Sequence, residues 1–263
     1  MSRTLFSRSL AALAALSLAA PAFAEESFDG SRANGPSDVR YLDANSDRVI
    51  LFSTAETHPA GTFYFSDYEI ILLQLGYAIT DNFQISLTGV PPLVTRQPYF
   101  FDVTAKVNVL RTDGFRAALQ VAGDVLASPD SNPSSIFGLR AGAIGQVCFS
   151  PTCLSSLTLN AGTLLNNQSN QVLPIYMAAG LTLHVSDLVK LMVEPTYAIA
   201  VGNGHVDGPS GFILSYGIRL SGRQFGFDLA FVKPVGGDSS GIIMGVPVLS
   251  FTYRTDPGPK RSL

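Results

Sequence analysis

Between Asn82 and Val125 the chain alternates polar and apolar residues three times over. Asn82, Gln84, Ser86 and Thr88 stand against Phe83, Ile85, Leu87 and Gly89, and Asp102, Thr104, Lys106 and Asn108 stand against Phe101, Val103, Ala105, Val107 and Val109. After Arg111-Thr112-Asp113-Gly114, the residues Arg116, Gln120 and Asp124 stand against Phe115, Leu119, Val121 and Val125. Successive side chains point to opposite faces in extended chain, so a period of two makes each stretch a strand with one polar and one apolar face. Alternation does not say which face meets water. Strand length, turn length and the N-terminus decide that.

From residue 60 onward the same reading places strands near 60–66, 68–79, 82–90, 99–111, 114–126, 135–148, 154–165, 171–184, 188–200, 210–221, 223–233 and 242–254. Most exceed the five or six residues usual in soluble sheets and match the roughly 9 to 11 that a tilted membrane strand needs. Short connections (Thr80 to Asn82, Arg111 to Gly114, Ser186-Asp187, Gly222-Arg223) alternate with longer ones (Val90 to Tyr99, Leu126 to Ser135, Val201 to Ser210, Pro234 to Gly241). That asymmetry is the pattern of membrane barrels, whose short turns face the periplasm. The first pair departs from it, because only Asp67 separates 60–66 from 68–79, so the two can be one bent strand. The expected fold is all-β: a closed antiparallel up-and-down transmembrane barrel of about 12 strands, with 10 or 14 as alternatives. Pro174, Pro195 and Pro247 fall inside predicted strands, where a missing N–H demands a bulge or a shifted boundary.

Arg3 and Arg8 precede the apolar run Leu10 to Ala20, and Ala22-Phe23-Ala24 forms a small-residue cleavage site, so residues 1–24 read as a secretory signal peptide. Its removal takes the basic residues from 17 to 15 against 20 acidic ones, which disfavours nucleic acid as a partner. No later apolar run approaches the roughly 20 residues of a spanning helix. Charged residues make up only 14% of the chain, low for a solvated domain. Residues 25–59, rich in Ser, Asp, Asn and Gly, read as a mobile periplasmic arm. Within it Arg48 to Thr54 holds Val49, Ile50, Leu51 and Phe52, which suits either a short strand or a segment tucked into a barrel mouth. Residues 60–254 form the barrel and 255–263 a tail.

These features resemble the bacterial outer-membrane β-barrel proteins of the small porin-like kind. The resemblance covers roughly residues 60 to 254, and Phe251-Thr252-Tyr253 is similar to the aromatic-ending signal recognised by the barrel-assembly machinery, although here the chain runs on to Leu263. It implies the outer membrane as location, with membrane lipid and the assembly machinery as partners.

The polar faces hold Asp102, Lys106, Arg116, Asp124, Arg140, Lys190, Glu194, Arg219 and Asp228, expected to line the lumen. With both signs present, they suit either pairing across a filled interior or a weakly selective channel for small polar solutes. By the same reasoning Leu119→Arg should be costly in lipid and Thr104→Arg, on the lumen side, much milder. Cys148 and Cys153, separated by Phe149-Ser150-Pro151-Thr152, are expected to close a small disulfide. His205 with Asp207 lies in a Gly-rich loop, and Gly237-Asp238-Ser239-Ser240-Gly241 resembles a serine-protease motif without a histidine box, so no enzyme, metal or cofactor is expected. The alternatives to a passive channel are a non-conducting structural or adhesive barrel and a soluble periplasmic ligand-binding barrel with its apolar face inward.

Overall fold

The computed structural model describes residues 43–69, 72–90, 99–128, 134–166, 172–202, 205–206, 211–235 and 244–255. The strands are β1 (Phe63–Tyr68), β2 (Leu72–Thr80), β3 (Phe83–Val90), β4 (Tyr99–Arg111), β5 (Phe115–Ser128), β6 (Ser134–Cys148), β7 (Ser156–Asn166), β8 (Val172–Ser186), β9 (Val189–Gly202), β10 (His205–Val206), β11 (Gly211–Ser221), β12 (Phe225–Val235) and β13 (Val246–Arg254). Each pairs antiparallel with its neighbours in chain order, and β13 returns to pair with β1, so the sheet closes on itself. The two residues of β10 pair only with Val201 and Gly202 of β9, which leaves a barrel of 12 strands. β1 and β2 are separate strands, with Tyr68 opposite Leu72. They are not one bent strand because Glu69, at φ 55°, reverses the chain between them.

The three prolines sit where the ladder lets them. The β8–β9 register skips from Ala178↔Thr196 to Leu181↔Val193, so Pro195 has no partner on β8. The last paired residue of β8 toward β7 is Ile175, so Pro174 has its ladder partner on β9 while its carbonyl accepts from Thr163 Oγ1 of β7 (3.0 Å), and Pro247 pairs only with Phe231 of β12.

Side-chain burial is inverted relative to a soluble protein. The outward face carries large apolar groups, among them Val103 (58% exposed), Leu119 and Leu139, while inward Lys106, Glu194 and Arg219 are at most 1% exposed. In water such a surface would aggregate; against acyl chains it is the favourable arrangement. A soluble barrel with an oily interior is therefore excluded. Aromatic rings mark both edges of the belt: Phe225 packs on Tyr253 and Phe251 near the short-turn rim, and Tyr216 on Phe231 and Tyr99 beside Phe101 toward the other.

The short turns are locally specified. Thr112 donates its N–H and hydroxyl to the Phe115 carbonyl (2.9 and 2.8 Å) and accepts the Phe115 N–H on Oγ1 (3.0 Å), closing β4 onto β5. Cys148 and Cys153 are bonded to each other across the β6–β7 turn.

Candidate functional site

The lumen is occupied. Residues 43–58, the latter part of the expected mobile arm, lie inside the barrel, and every one of them is buried. The expectation of a mobile arm fails there because polar composition measures affinity for polar partners, and a polar lumen supplies them as well as water does; for Arg48 to Thr54 the burial agrees with the alternative of a tucked segment rather than a strand of the sheet. Residues 1–42 and 256–263, with the expected signal peptide, lie outside the described residues, as do Asp207 and Ser239.

The segment makes a U-turn. Ala44 donates its N–H to Gly222 O (2.9 Å) in the β11–β12 turn, and Thr57 Oγ1 donates to Asp81 O (2.8 Å) in the β2–β3 turn, so both legs meet the short-turn rim. Between them Arg48 bridges to Ser53, and Val49 N–H bonds to Phe52 O (2.9 Å), forming a tight hairpin. At its tip the amides of Ile50, Leu51 and Phe52 donate to the carboxylate of Glu194 at 3.1, 2.8 and 3.1 Å. Three convergent N–H groups form an anion-binding concavity. Here β9 fills it with its own acid. The tip's apolar side chains pack with Tyr176, Ala178, Met192, Ala198 and Ala230, and Gly180 is where Val49 reaches the wall: a Cβ there would lie 2.4 Å from Val49 Cγ2.

All nine residues expected to line the lumen project inward, but fewer pair across it than the sequence suggested. Arg140 joins Asp102 and Asp124, donating from Nε to Asp124 Oδ1 and Oδ2 at 3.0 and 2.9 Å. Arg219 holds Asp228 in a two-pronged contact of 2.7 and 3.0 Å. The others address the inner segment. Lys190 meets Asp43 at 2.6 Å, Arg116 and Arg111 meet Glu56, and Lys106 donates to Thr54 O at 3.0 Å. Arg48, from the segment, reaches Asp228 (3.2 Å) and Ser250 Oγ (2.7 Å) and lies 4.5 Å from the Tyr68 ring.

Sequence reasoning passed over the uncharged half of this site. Asn160 donates to Ser53 O (2.9 Å) and Asn108 to Ala55 O (2.7 Å), while Gln146 and Gln84 accept the N–H groups of Ala55 (3.1 Å) and His58 (2.9 Å). These amides stand on the inward register of the alternation, which is the signal that finds them. His58 stacks on Tyr64 at 4.0 Å between centroids. Beside the tip, Phe52, Ser53, Gln120, Arg140, Asn160 and Tyr176 line a cavity with room for about one water. Glu56 lies near Cys148 and Cys153, but the sulfurs are bonded to each other and offer no thiolate to a metal.

The fold is that of a porin-like outer-membrane β-barrel. A KdgM porin superposes with a TM-score of 0.51 at 9% identity, covering 73% of this chain and 96% of its own, and a KdgM porin in complex with disordered oligogalacturonate with a TM-score of 0.50 at 7% identity, covering 73% and 96%. At such identity the likeness speaks for the fold alone. No protein-family model and no curated protein sequence matches the chain.

Proposed function

We propose that the protein is a passive, weakly selective channel for small polar solutes in the bacterial outer membrane, exported with loss of residues 1–24 and held closed at rest by residues 43–58. The observation that carries this reading is a charge mismatch in the wall. Inward or rim-facing strand residues comprise Lys106, Arg111, Arg116, Arg140, Lys190, Arg219 and Arg254 against Asp102, Asp124, Glu194 and Asp228. The segment, with Asp43, Asp47 and Glu56 against Arg48, offsets part of that excess. With it gone, the lumen would carry a cationic surplus and favour anionic solutes. That one similar barrel was solved with an oligogalacturonate supports an anionic solute here as well. No catalytic role is assigned.

A second reading, a non-conducting barrel with a structural or adhesive role, is favoured by how closely the segment packs the short-turn half of the lumen. Planar-bilayer recording of the refolded full chain separates the two. The channel reading expects a quiet baseline broken by discrete openings whose reversal potential in a salt gradient lies toward the anion. Silence at all voltages removes it.

A further inference from the structure

We infer that the short-turn half of the lumen is a binding site for an acidic peptide hairpin, occupied in cis by residues 43–58 and able to exchange that segment for a peptide of the same chemistry in trans. The inference rests on the channel reading only for its physiological meaning, since the site itself is defined by geometry. Asn160, Lys106, Asn108, Gln146 and Gln84 address the main chain of residues 53–58, taking three carbonyls and two N–H groups. Such contacts recognise the main chain of the returning leg whatever side chains it carries. Two cationic pairs on the wall then select acidity: Lys190 with Arg219 on Asp43, and Arg111 with Arg116 on Glu56.

Topology permits exchange. Both legs leave by the same rim, so the hairpin can withdraw without threading, and its continuity with β1 through Thr62 keeps it tethered nearby. A tethered ligand competes at high effective concentration, so a free peptide needs either excess or a weakened segment to displace it.

The test uses the full chain with Ser53→Cys, a near-isosteric change at a side chain 2% exposed and 3.0 Å from Gln120 Oε1. In vesicles, a membrane-impermeant maleimide reports when the tip leaves the lumen, and Thr112→Cys on an exposed turn confirms that the reagent reaches the rim. A synthetic peptide of residues 43–58 is expected to speed labelling at position 53 by about tenfold or more. The same peptide carrying Asp43→Asn and Glu56→Gln is expected to do nothing. Placing those two substitutions in the chain itself should lower the concentration of acidic peptide required. Should Ser53→Cys fail to fold, Phe52→Trp, the sole tryptophan in a chain that has none, reports the same event by its emission. Equal labelling with acidic, neutralised and no peptide overturns the inference. Currents recorded alongside keep the two ideas apart: peptide-dependent labelling without current retains the site and removes the channel, and current without labelling does the reverse.

Discussion

Arg219→Gln should release the inner segment while leaving the barrel standing. Beyond its two bonds to Asp228, Arg219 donates to Asp43 Oδ2 (3.4 Å) and to the main-chain oxygens of Asn45, Arg48 (3.0 Å) and Val49 (2.7 Å), so one wall residue holds the segment at four residues. Asp228 is not orphaned by the change, because Arg48 and Ser250 still reach it at 3.2 Å. Asp43 keeps Lys190 at 2.6 Å, so the loss falls mainly on the carbonyls. Bonds from a charged donor are worth about 1.5 to 3 kcal/mol each, and glutamine, shorter and neutral, can restore one of the three. Two lost bonds amount to about 3 to 6 kcal/mol, or about a hundredfold to ten-thousandfold in the displaced population. In a Phe52→Trp background, urea titration should show the tryptophan emission shifting red well below the denaturant at which the barrel loses its heat-modifiable mobility on gels. Arg219→Lys, with three donors in place of five, should fall between. If the emission and barrel transitions stay superimposed in all three proteins, the segment belongs to the barrel's own cooperative unit and the reasoning fails.

Leu119→Arg should cost about 2 to 4 kcal/mol in bilayer refolding titrations, with the penalty shrinking in thinner bilayers, because the side chain faces lipid. Thr104→Arg is not the mild change that alternation alone suggests: Thr104 is buried and donates to Asp102 Oδ1 at 2.7 Å, so an arginine there overfills the lumen at about 1 to 3 kcal/mol, independent of bilayer thickness. Gly162→Ala should destabilise by about 1 to 3 kcal/mol, since its Cβ would stand 2.6 Å from Ala141 O, 2.3 Å from the Tyr176 hydroxyl and 2.5 Å from the ring carbon that bears it; Tyr176→Phe, which removes only the hydroxyl, should leave most of the penalty in the same titration. Replacing Cys148 and Cys153 by serine opens a small loop and should lower stability by about 2 kcal/mol, read as a shift in the urea midpoint with no change in barrel mobility.

The barrel was legible because its signal is repeated and local. Period two over a dozen segments fixes which residues share a face, and turn lengths fix which rim they share; Lys106 and Val103 needed nothing more to be placed. Where the inward charges find partners is not a local property. Arg116 and Glu56 lie 60 residues apart in the chain, and Arg48 and Asp228 lie 180 apart, and no periodicity links them. The prolines show the same limit: composition marks that the ladder must break near Pro195, but only the register shows the break to be the two-residue gap opposite Ala179 and Gly180.

A trace of the inner segment was nonetheless present in the charges. A buried cation without a partner costs more than almost any packing defect, so a filled barrel must balance its interior. The strands alone do not: the cationic surplus of the wall can be met only from elsewhere in the chain. Residues 43–58 offset part of it, with Asp43, Asp47 and Glu56 against Arg48. Placing acids opposite bases, however, does not distinguish permanent neutralisation from a reversible one. The arrangement of the legs does bear on that choice, since a segment needed only for balance could have crossed the barrel and anchored at opposite rims, whereas this one enters and leaves by the same mouth. That geometry adds no pairing that a crossing segment would lack, and it leaves the segment free to withdraw.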